Sequence, residues 1–592
     1  MLQNLTRRGQ KEVANLTCGF PNNKTPEPRL NWTRRFGRML LLREASAMSD
    51  FTTERSFLLP SFDPIEEEGD RIRRFMLFLE SSGVGSIIDR YVKNKGPNGG
   101  RPSVNYHRLF ATVLYGFATG RATLRKLEDA IAHDVRFIAM MQQARPDHST
   151  ICKFINKVIS PNEEVIFAAV TSAAAKEMGL SFDDAFVDGS KFEANANKYK
   201  FVWKPTTFHR RLSRSFFSLC RERGLLAGFD DEDLVRSKTV SRALSEASAR
   251  GEARLTNIIA SMLLKVVEYE EKEAICGEGR KSYYKTDHDA TAMCLKSDYY
   301  SGLGSNMHAA YNVQYLVCHG IVAAYSVTQS RADSNDFIGV IESFRRNYGR
   351  YPANVCADAG YGSPANYAFL ADKGIGNYVK DQSWEGNASG SRPDCYRIDD
   401  SGDGIVCLAG KPGTRTAVEG RHPKKAGGEF FVVKGCLGCP FHDYCFRFTR
   451  DCEGADAKVF EVNVAFLRMK AEAERNLLSP KGIELRVNRS IQVEGAFGIE
   501  KGDYGYERLR RRGIKRVLTE VMLNALGLTI AKLFRFYETG AVPEYWSPPP
   551  DLEGQKLKKP SAKRLSKKGR KVHANTYQKQ EHAKHVAKPP QA

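Results

Sequence analysis

Three acidic residues, far apart in a chain of 592, stand where their carboxylates can meet. Asp188 closes the short apolar run Ala185-Phe186-Val187 and is followed by Gly189. Asp358 closes Asn354-Val355-Cys356-Ala357 and is followed by Ala359-Gly360. Neighbouring strands that end together bring both carboxylates to one sheet edge, where ligands commonly bind in α/β proteins. The plainer reading is that Asp before Gly is turn chemistry. Glu494 separates the two readings. On a helix starting at Ser479-Pro480, the residues Ile483, Val487, Ile491 and Gly498 share one face, and Glu494 falls on it. A carboxylate on a core-facing stripe is costly unless its charge is compensated; divalent cations held by two Asp and one Glu would compensate it. The alternative is a helix rotated to put Glu494 in solvent. Gly495 and Gly498, which predict close packing on a neighbour, weigh against that.

Two other groups of residues carry chemistry. Cys436-x2-Cys439, followed by Cys445 and Cys452, opens like a zinc site, with Cys407 competing with Cys452 as fourth ligand. Buried, unligated thiols are the other reading; a metal held there would be structural, since thiolates suit Zn²⁺. Just past Glu494, the residues Arg508, Arg510, Arg511, Arg512, Lys515 and Arg516 crowd one stretch, able to hold phosphates or simply to solvate a helix end. Trp203, among Lys198, Lys200 and Lys204, is either a core tryptophan or a stacking surface for a displaced base.

The elements that must position these groups show in the periodicity. From Gly69 onward Ile72, Phe75, Met76 and Leu79 recur at helical spacing, followed by helices at His107–Ala118, Leu124–Ile131, Val135–Met141 and Thr150–Val158. Short helices joined by tight turns fit a helix-turn-helix DNA reader or a plain bundle equally. After Gly179 the period changes: a strand ending at Asp188, a hairpin of Ala309–Val317 and Ile321–Val327, a helix, a strand ending at Asp358, another helix and the strand Gly376–Lys380. That order predicts a mixed α/β sheet with interruptions. Residues from about 198 to 300 read as charged and helical, for example Leu244–Tyr269. Residues from about 384 to 470 hold Gly, Pro and the cysteines, and a strongly apolar helix follows at Val517–Phe536.

Composition bounds the partners. Ninety Lys and Arg against 69 Asp and Glu leave a net charge of +21, which points to a polyanion, most often nucleic acid. An apolar fraction of 42% rules out wholesale disorder, and no apolar run approaches the roughly 18 residues of a spanning helix. Thirteen mostly scattered cysteines fit a reducing cytosol better than a disulfide framework. Four regions are expected: a flexible extension at 1–50 (or upstream sequence before a start at Met48), a helical DNA-binding domain at 51–180, a catalytic core at 181–540, and a basic disordered tail at 541–592.

The segments Val187-Asp188-Gly189-Ser190-Lys191-Phe192-Glu193-Ala194-Asn195-Ala196, Ala357-Asp358-Ala359-Gly360-Tyr361-Gly362-Ser363 and Val493-Glu494-Gly495-Ala496-Phe497-Gly498 resemble, in order, the three active-site blocks of DDE transposases of bacterial insertion sequences. Tyr311-Asn312-Val313-Gln314 is similar to a further segment common in that family. The resemblance runs from about Pro102 to about Phe536. It implies an RNase H-like mixed sheet, interrupted by a helical insertion at 198–300 and a Cys-bearing insertion at 384–470, behind an all-helical N-terminal domain. It also implies that Asp188, Asp358 and Glu494 bind Mg²⁺ (or Mn²⁺), and that Lys501 is the basic residue of the Y-R-E-K signature. Arg489 lies one place off the spacing of that signature, and no Tyr precedes it as expected. Related transposases often carry a cysteine-bearing insert, which favours structural Zn²⁺.

The chemistry suits the residue types. In-line attack on a phosphodiester develops charge on attacking and leaving oxygens together, which two Mg²⁺ ions stabilise, and Mg²⁺ takes oxygen ligands. The expected function is metal-dependent cleavage and strand transfer at terminal inverted repeats, on double-stranded element ends and target DNA. A homo-oligomer acting in the cytoplasm on the nucleoid, without membrane, is expected. The alternatives are a nuclease that cuts without joining and a non-catalytic DNA-binding regulator.

Overall fold

The computed structural model describes residues 70–92, 104–277, 280–295, 307–382, 384, 395–418, 422–423, 427–446, 454–542 and 544–547. The expected extension at 1–50, the basic tail past 547 and Cys452 lie outside the described residues.

The strands are β1 (Asp184–Glu193), β2 (Phe201–Trp203), β3 (Ser282–Tyr284), β4 (Thr291–Met293), β5 (His308–Cys318), β6 (Ile321–Thr328), β7 (Asn354–Ala357) and β8 (Gly376–Val379). Six of them make one mixed sheet. β1 lies at its middle, antiparallel to β5 from Phe186↔Val317 to Glu193↔Ala310 and parallel to β7 from Asp184↔Asn354 to Val187↔Ala357. β8 continues the parallel side. On the other side, β6 pairs the C-terminal part of β5 and β4 its N-terminal end. β5 is buried along nearly its whole length, Asn312 and Gln314 included, as befits a strand covered on both faces. The short β2–β3 ribbon stands apart from this sheet.

Asp188 does not close a strand. β1 runs on through it for five more residues. Gly189 does not stop the strand either: a Cβ there would collide with the Gln314 side-chain amide of β5, so the glycine makes room for its neighbour. The helix expected over Leu244–Tyr269 is two, Ser237–Ala249 and Ala253–Cys276, split where Gly251 takes φ +75°. Residues 395–462 are more regular than their Gly and Pro content predicts. They form an antiparallel meander of β9 (Tyr396–Ile398), β10 (Ile405–Cys407), β11 (Pro412–Arg415), β12 (Glu429–Lys434) and β13 (Ala457–Val462). The hairpin at 308–328 and the helices at 71–81, 106–118, 124–133 and 337–348 match the periodicity.

One continuous core runs from Ile72 of the first helix to Phe534 of the last described one. Its centre is the helix Ile514–Thr539, buried over most of its length between the N-terminal helices and the sheet. This is the one described helix long and apolar enough to cross a membrane; its apolar surface is instead covered inside the protein. A separate cluster around Phe216, Val240 and Ile259 holds the helices between 205 and 276 together, and another lies within the meander.

The Ile514–Thr539 helix approaches the helix Tyr106–Ala118 through Gly527, where a Cβ would lie 2.8 Å from the Phe117 backbone carbon. Alanine is favoured over glycine in a helix by about 1 kcal/mol, but backbone cannot yield as a side chain can. Gly527→Ala is therefore expected to destabilise the protein by about 1–3 kcal/mol, the usual cost of overpacking. Thermal melting of the variant, which would rise if propensity won, checks this.

Candidate functional site

The register of β1 and β7 brings the first two acids together. Val187 pairs with Ala357 in parallel, so Asp188 and Asp358 are the next residues on adjacent strands. Asp188 Oδ1 accepts the Gly189 N–H at 2.9 Å. Asp358 leaves its strand and caps the turn Ala359–Tyr361, accepting the Gly360 N–H at 2.9 Å. The turn after Asp358 is locked to β5 by buried Gln314, whose amide nitrogen donates to Asn312 and Asp333 and whose oxygen accepts the Tyr361 hydroxyl. Gln314 is thus part of the site, a role its place in the Tyr311–Gln314 segment does not specify.

The third acid arrives by a route the helical wheel misses. The helix Pro480–Arg489 buries Leu485, Asn488 and Arg489, while Ile491 and Glu494 are exposed. The expected face of Ile483, Val487, Ile491 and Gly498 is therefore not the core face. Nor do Gly495 and Gly498 pack closely; a Cβ on either would meet nothing within 4 Å. The buried face is already set within the regular helix by Gly482, Leu485 and Arg489; this is the rotated helix that leaves Glu494 towards solvent. Ser490–Glu494 then winds as a π-turn, whose extra residue shifts the register. That shift carries Glu494 towards Asp188 and puts Arg489 beside it. Arg489 Nη2 lies 2.7 Å from Glu494 Oε1 and Nη1 lies 3.4 Å from Asp188 Oδ2.

The electrostatics reflect three like charges around one cation. Burial pushes the Asp188 carboxyl up to about 6; Arg489 opposes this, and repulsion from Asp358 and Glu494 adds to it. The Arg489 guanidinium, itself buried, is held above its ordinary value by Asp188, Glu494 and Asp358. Among the described residues, no group of three or more His, Cys, Asp or Glu side chains stands in position to hold a metal ion. At the acidic centre the guanidinium is wedged between two of the oxygens such an ion would need.

Lys501, on a second π-turn (Ile499–Asp503), donates to Ser190 Oγ at 2.7 Å and Lys191 O at 2.8 Å and lies over the Phe192 ring. It ties the Glu494 segment to β1 next to Asp188. Tyr315 on β5 does the same from the other side, stacked on Phe497 at 4.6 Å with its hydroxyl donated to buried Glu500. Burial, against the Tyr315 hydrogen bond, pushes Glu500 up to about 8. Glu500 was not legible as a site residue, because an acid in a charged segment shows no sign of burial.

The basic stretch divides. Arg508 and Arg512 reach the carbonyls of Ala196 and Asn195, and Arg511 donates to Asn156. Buried Glu520, pushed up to about 7, accepts the Arg510 and Arg511 backbone N–H groups and shapes the loop. The side chains of Arg510, Arg512, Lys515 and Arg516 remain exposed. Trp203 is not a core residue. It is 42% exposed beside Phe201 on β2, with the Lys204 ammonium 5.4 Å from its ring centre.

The meander gathers thiols. Cys407 pairs with Tyr396 across β9 and β10, beside Cys395. Cys436 and Cys439 are joined by a turn in which the Cys439 N–H donates to Cys436 O, and Cys445 follows on a short helix. Cys407, Cys436, Cys439 and Cys445 line one cavity with His442. Burial, then the neighbouring Cys395, Cys439 and Cys407, pushes the Cys445 thiol up to about 12. Cys395 therefore joins the thiols expected from the CxxC spacing; its remoteness from that pair along the chain hides it in the sequence.

Two family models match the chain. One, described as "Transposase domain (DUF772)", covers residues 60–157; the other, described as "Transposase DDE domain", covers 406–534. Glu494 and Lys501 lie within the second match, and Asp188 and Asp358 lie outside both. No curated protein and no solved structure matches. Over those residues, and in this order on one chain, the protein is thus similar to DDE transposases of the insertion-sequence kind. Such transposases act on DNA, and their family implies a divalent metal, typically Mg²⁺.

Glu500 gives a pH test of how the Glu494 segment is held. Its carboxyl is raised above the unfolded value, so its contribution is fully present below about pH 4.3 and is lost as pH rises through the folded value near 8. Charging it in place costs on the order of 5 kcal/mol. Glu500→Gln, which cannot ionise, should gain stability relative to the parent between about pH 6 and about pH 9. Melting curves at both pH values decide it; a constant difference would mean that Glu500 is not buried as described.

Proposed function

We propose that this transposase cuts DNA at the ends of its element and joins those ends to target DNA at a centre built from Asp188, Asp358 and Glu494. The observation that carries this is the adjacency of Asp188 and Asp358 just past the last β1–β7 pair, with Glu494 of the π-turn tied to Asp188 through the Arg489 guanidinium. The sheet order, with three antiparallel strands against two parallel ones and the first strand central, supports an RNase H-like core.

The carboxylates fit a divalent cation: they are oxygen donors, mutually repulsive and incompletely compensated by one Arg. Held there, Mg²⁺ or Mn²⁺ would supply the charge that stabilises attacking and leaving oxygens. Lys501 fixes the Glu494 segment against β1. Arg510, Arg512, Lys515 and Arg516 offer exposed charge to phosphates, and Trp203 with Lys204 offers a ring to an unpaired base. The N-terminal helices would recognise the terminal repeats, and a homo-oligomer on the nucleoid would hold two ends together.

Cleavage and joining of the element's own ends, followed on gels with Mg²⁺, tests this reading. Asp188→Asn, Asp358→Asn and Glu494→Gln should each abolish both products, a loss of at least about 10³-fold, while retaining DNA binding. Full activity in any one variant would remove that residue from the centre. Nicking without joining by the parent protein would identify a nuclease, and binding without any product a regulator.

For the meander we propose a structural Zn²⁺ drawn from Cys395, Cys407, Cys436, Cys439 and Cys445, with Cys395 in the place that the spacing offers to Cys452. Support comes from thiols of separate segments around one cavity. Metal analysis of the purified chain should find about one zinc per molecule, lost in Cys436→Ser/Cys439→Ser. Zinc-free protein of unchanged stability would leave these as buried thiols.

A further inference from the structure

Arg489 is more than a neighbour of the acids. Its residue is only 8% exposed, and it sits at the junction of a regular helix and a π-turn. The guanidinium reaches Glu494 at 2.7 Å and Asp188 at 3.4 Å. Its Nη1 has no hydrogen-bond partner at all, although it is buried and aimed at Asp188. A guanidinium has a rigid fork of donors suited to two oxygens of one anion. Here the fork is split between two separate carboxylates, and one of its nitrogens is left unsatisfied. Such a group is held by charge and not by fit.

Those two carboxylates are also the ones a divalent cation would need. A guanidinium and a dication compete for the same oxygens, because like charges at contact distance repel strongly in a poorly solvated site. Entry of a cation is therefore opposed by Arg489 until it withdraws, and a withdrawn, buried guanidinium needs a new anion. A phosphate of bound DNA presents paired oxygens in the geometry the fork prefers.

We propose that Arg489 is a built-in counter-ion that occupies the acidic centre in the metal-free protein. It gives way to the metal most readily when an external phosphate accepts it. This inference rests on the assignment of Asp188 and Glu494 as metal ligands. By linkage, whatever a phosphate does for metal affinity, metal must do equally for phosphate affinity. Cation loading is thereby tied to DNA occupancy, and the unbound enzyme is kept weakly loaded.

The test uses the full chain and reads metal binding without turnover. Free Mn²⁺ is followed by its paramagnetic resonance signal, with no DNA present and then with a short phosphorylated duplex. Arg489→Gln should bind Mn²⁺ at least about ten-fold more tightly than the parent without DNA, equivalent to about 1.4 kcal/mol. In chelator it should melt lower than the parent, and Mn²⁺ should raise its melting temperature more. The duplex should tighten Mn²⁺ binding in the parent and do so much less in the variant. Should Arg489→Gln not fold, Arg489→Lys carries the test: it keeps the charge, reaches only one carboxylate, and should still bind Mn²⁺ more tightly than the parent. Unchanged or weaker Mn²⁺ binding in the folded variant overturns the inference and leaves the metal centre standing. Mn²⁺ binding that Asp188→Asn leaves untouched overturns both, because the cation is then bound elsewhere.

Discussion

Mutual repulsion among Asp188, Asp358 and Glu494 is the constraint around which the rest of the protein is arranged. Three carboxylates brought together at a largely buried sheet edge are unstable unless something opposes their charge and something else prevents them from moving apart. Arg489 supplies the opposing charge. The fastening is distributed: the parallel register of β1 and β7 fixes the two Asp residues, Gln314 and Tyr361 lock the turn after Asp358, and Lys501 and the Tyr315–Phe497 stack hold the Glu494 segment to β1 and β5. Gln314, Tyr361 and Tyr315 are buried polar side chains, so each carries a cost that only the assembled site offsets.

The π-turns are the device that makes this geometry possible. A regular helix from Pro480 would present Glu494 and Arg489 on different faces. The inserted residue rotates the chain so that both face β1, and the second π-turn does the same for Lys501. π-turns are rare in ordinary helices and common where a side chain has to be aimed. Two in succession, flanking four residues of ordinary helix, mark this segment as shaped by its chemistry more than by packing. Glu500 and Glu520, both buried and both shifted upward, repeat the theme: acids retained inside the core because they hold loops of the site in place.

How much of this could be read beforehand depended on whether the feature was local. The hairpin at 308–328, the helix at 337–348 and the meeting of Asp188 and Asp358 on neighbouring strands follow from residue types within a few positions of each other, and all were legible. The position of Asp188 within its strand was not, since a glycine after an apolar run reads as a stop; only the presence of Gln314 across the sheet explains it. The face of the Glu494 helix was not legible because its buried side carries Gly482, Asn488 and Arg489, residue types that do not mark a core face, while the apolar Ile483, Val487 and Ile491 lie on the other side. Cys395 was missed because the chain between it and the CxxC pair holds most of a five-stranded meander. The exposure of Trp203 was undecided in the sequence, and the alternation with buried Val202 on β2 settles it.

The distance along the chain between these parts has a consequence during synthesis. Lys501 and Ser190 are 311 positions apart, and the Asn195 carbonyl waits for Arg512, later still. At roughly 5–20 residues per second, β1 is out of the ribosome for tens of seconds before its last partners exist. The nascent polypeptide thus holds an unassembled, strongly acidic strand edge while its lysine- and arginine-rich remainder is still being made. A translation product that stops short of residue 494 lacks the third carboxylate and, seven residues on, the lysine that fastens its segment to β1. The acidic centre is assembled late, with most of the chain already made.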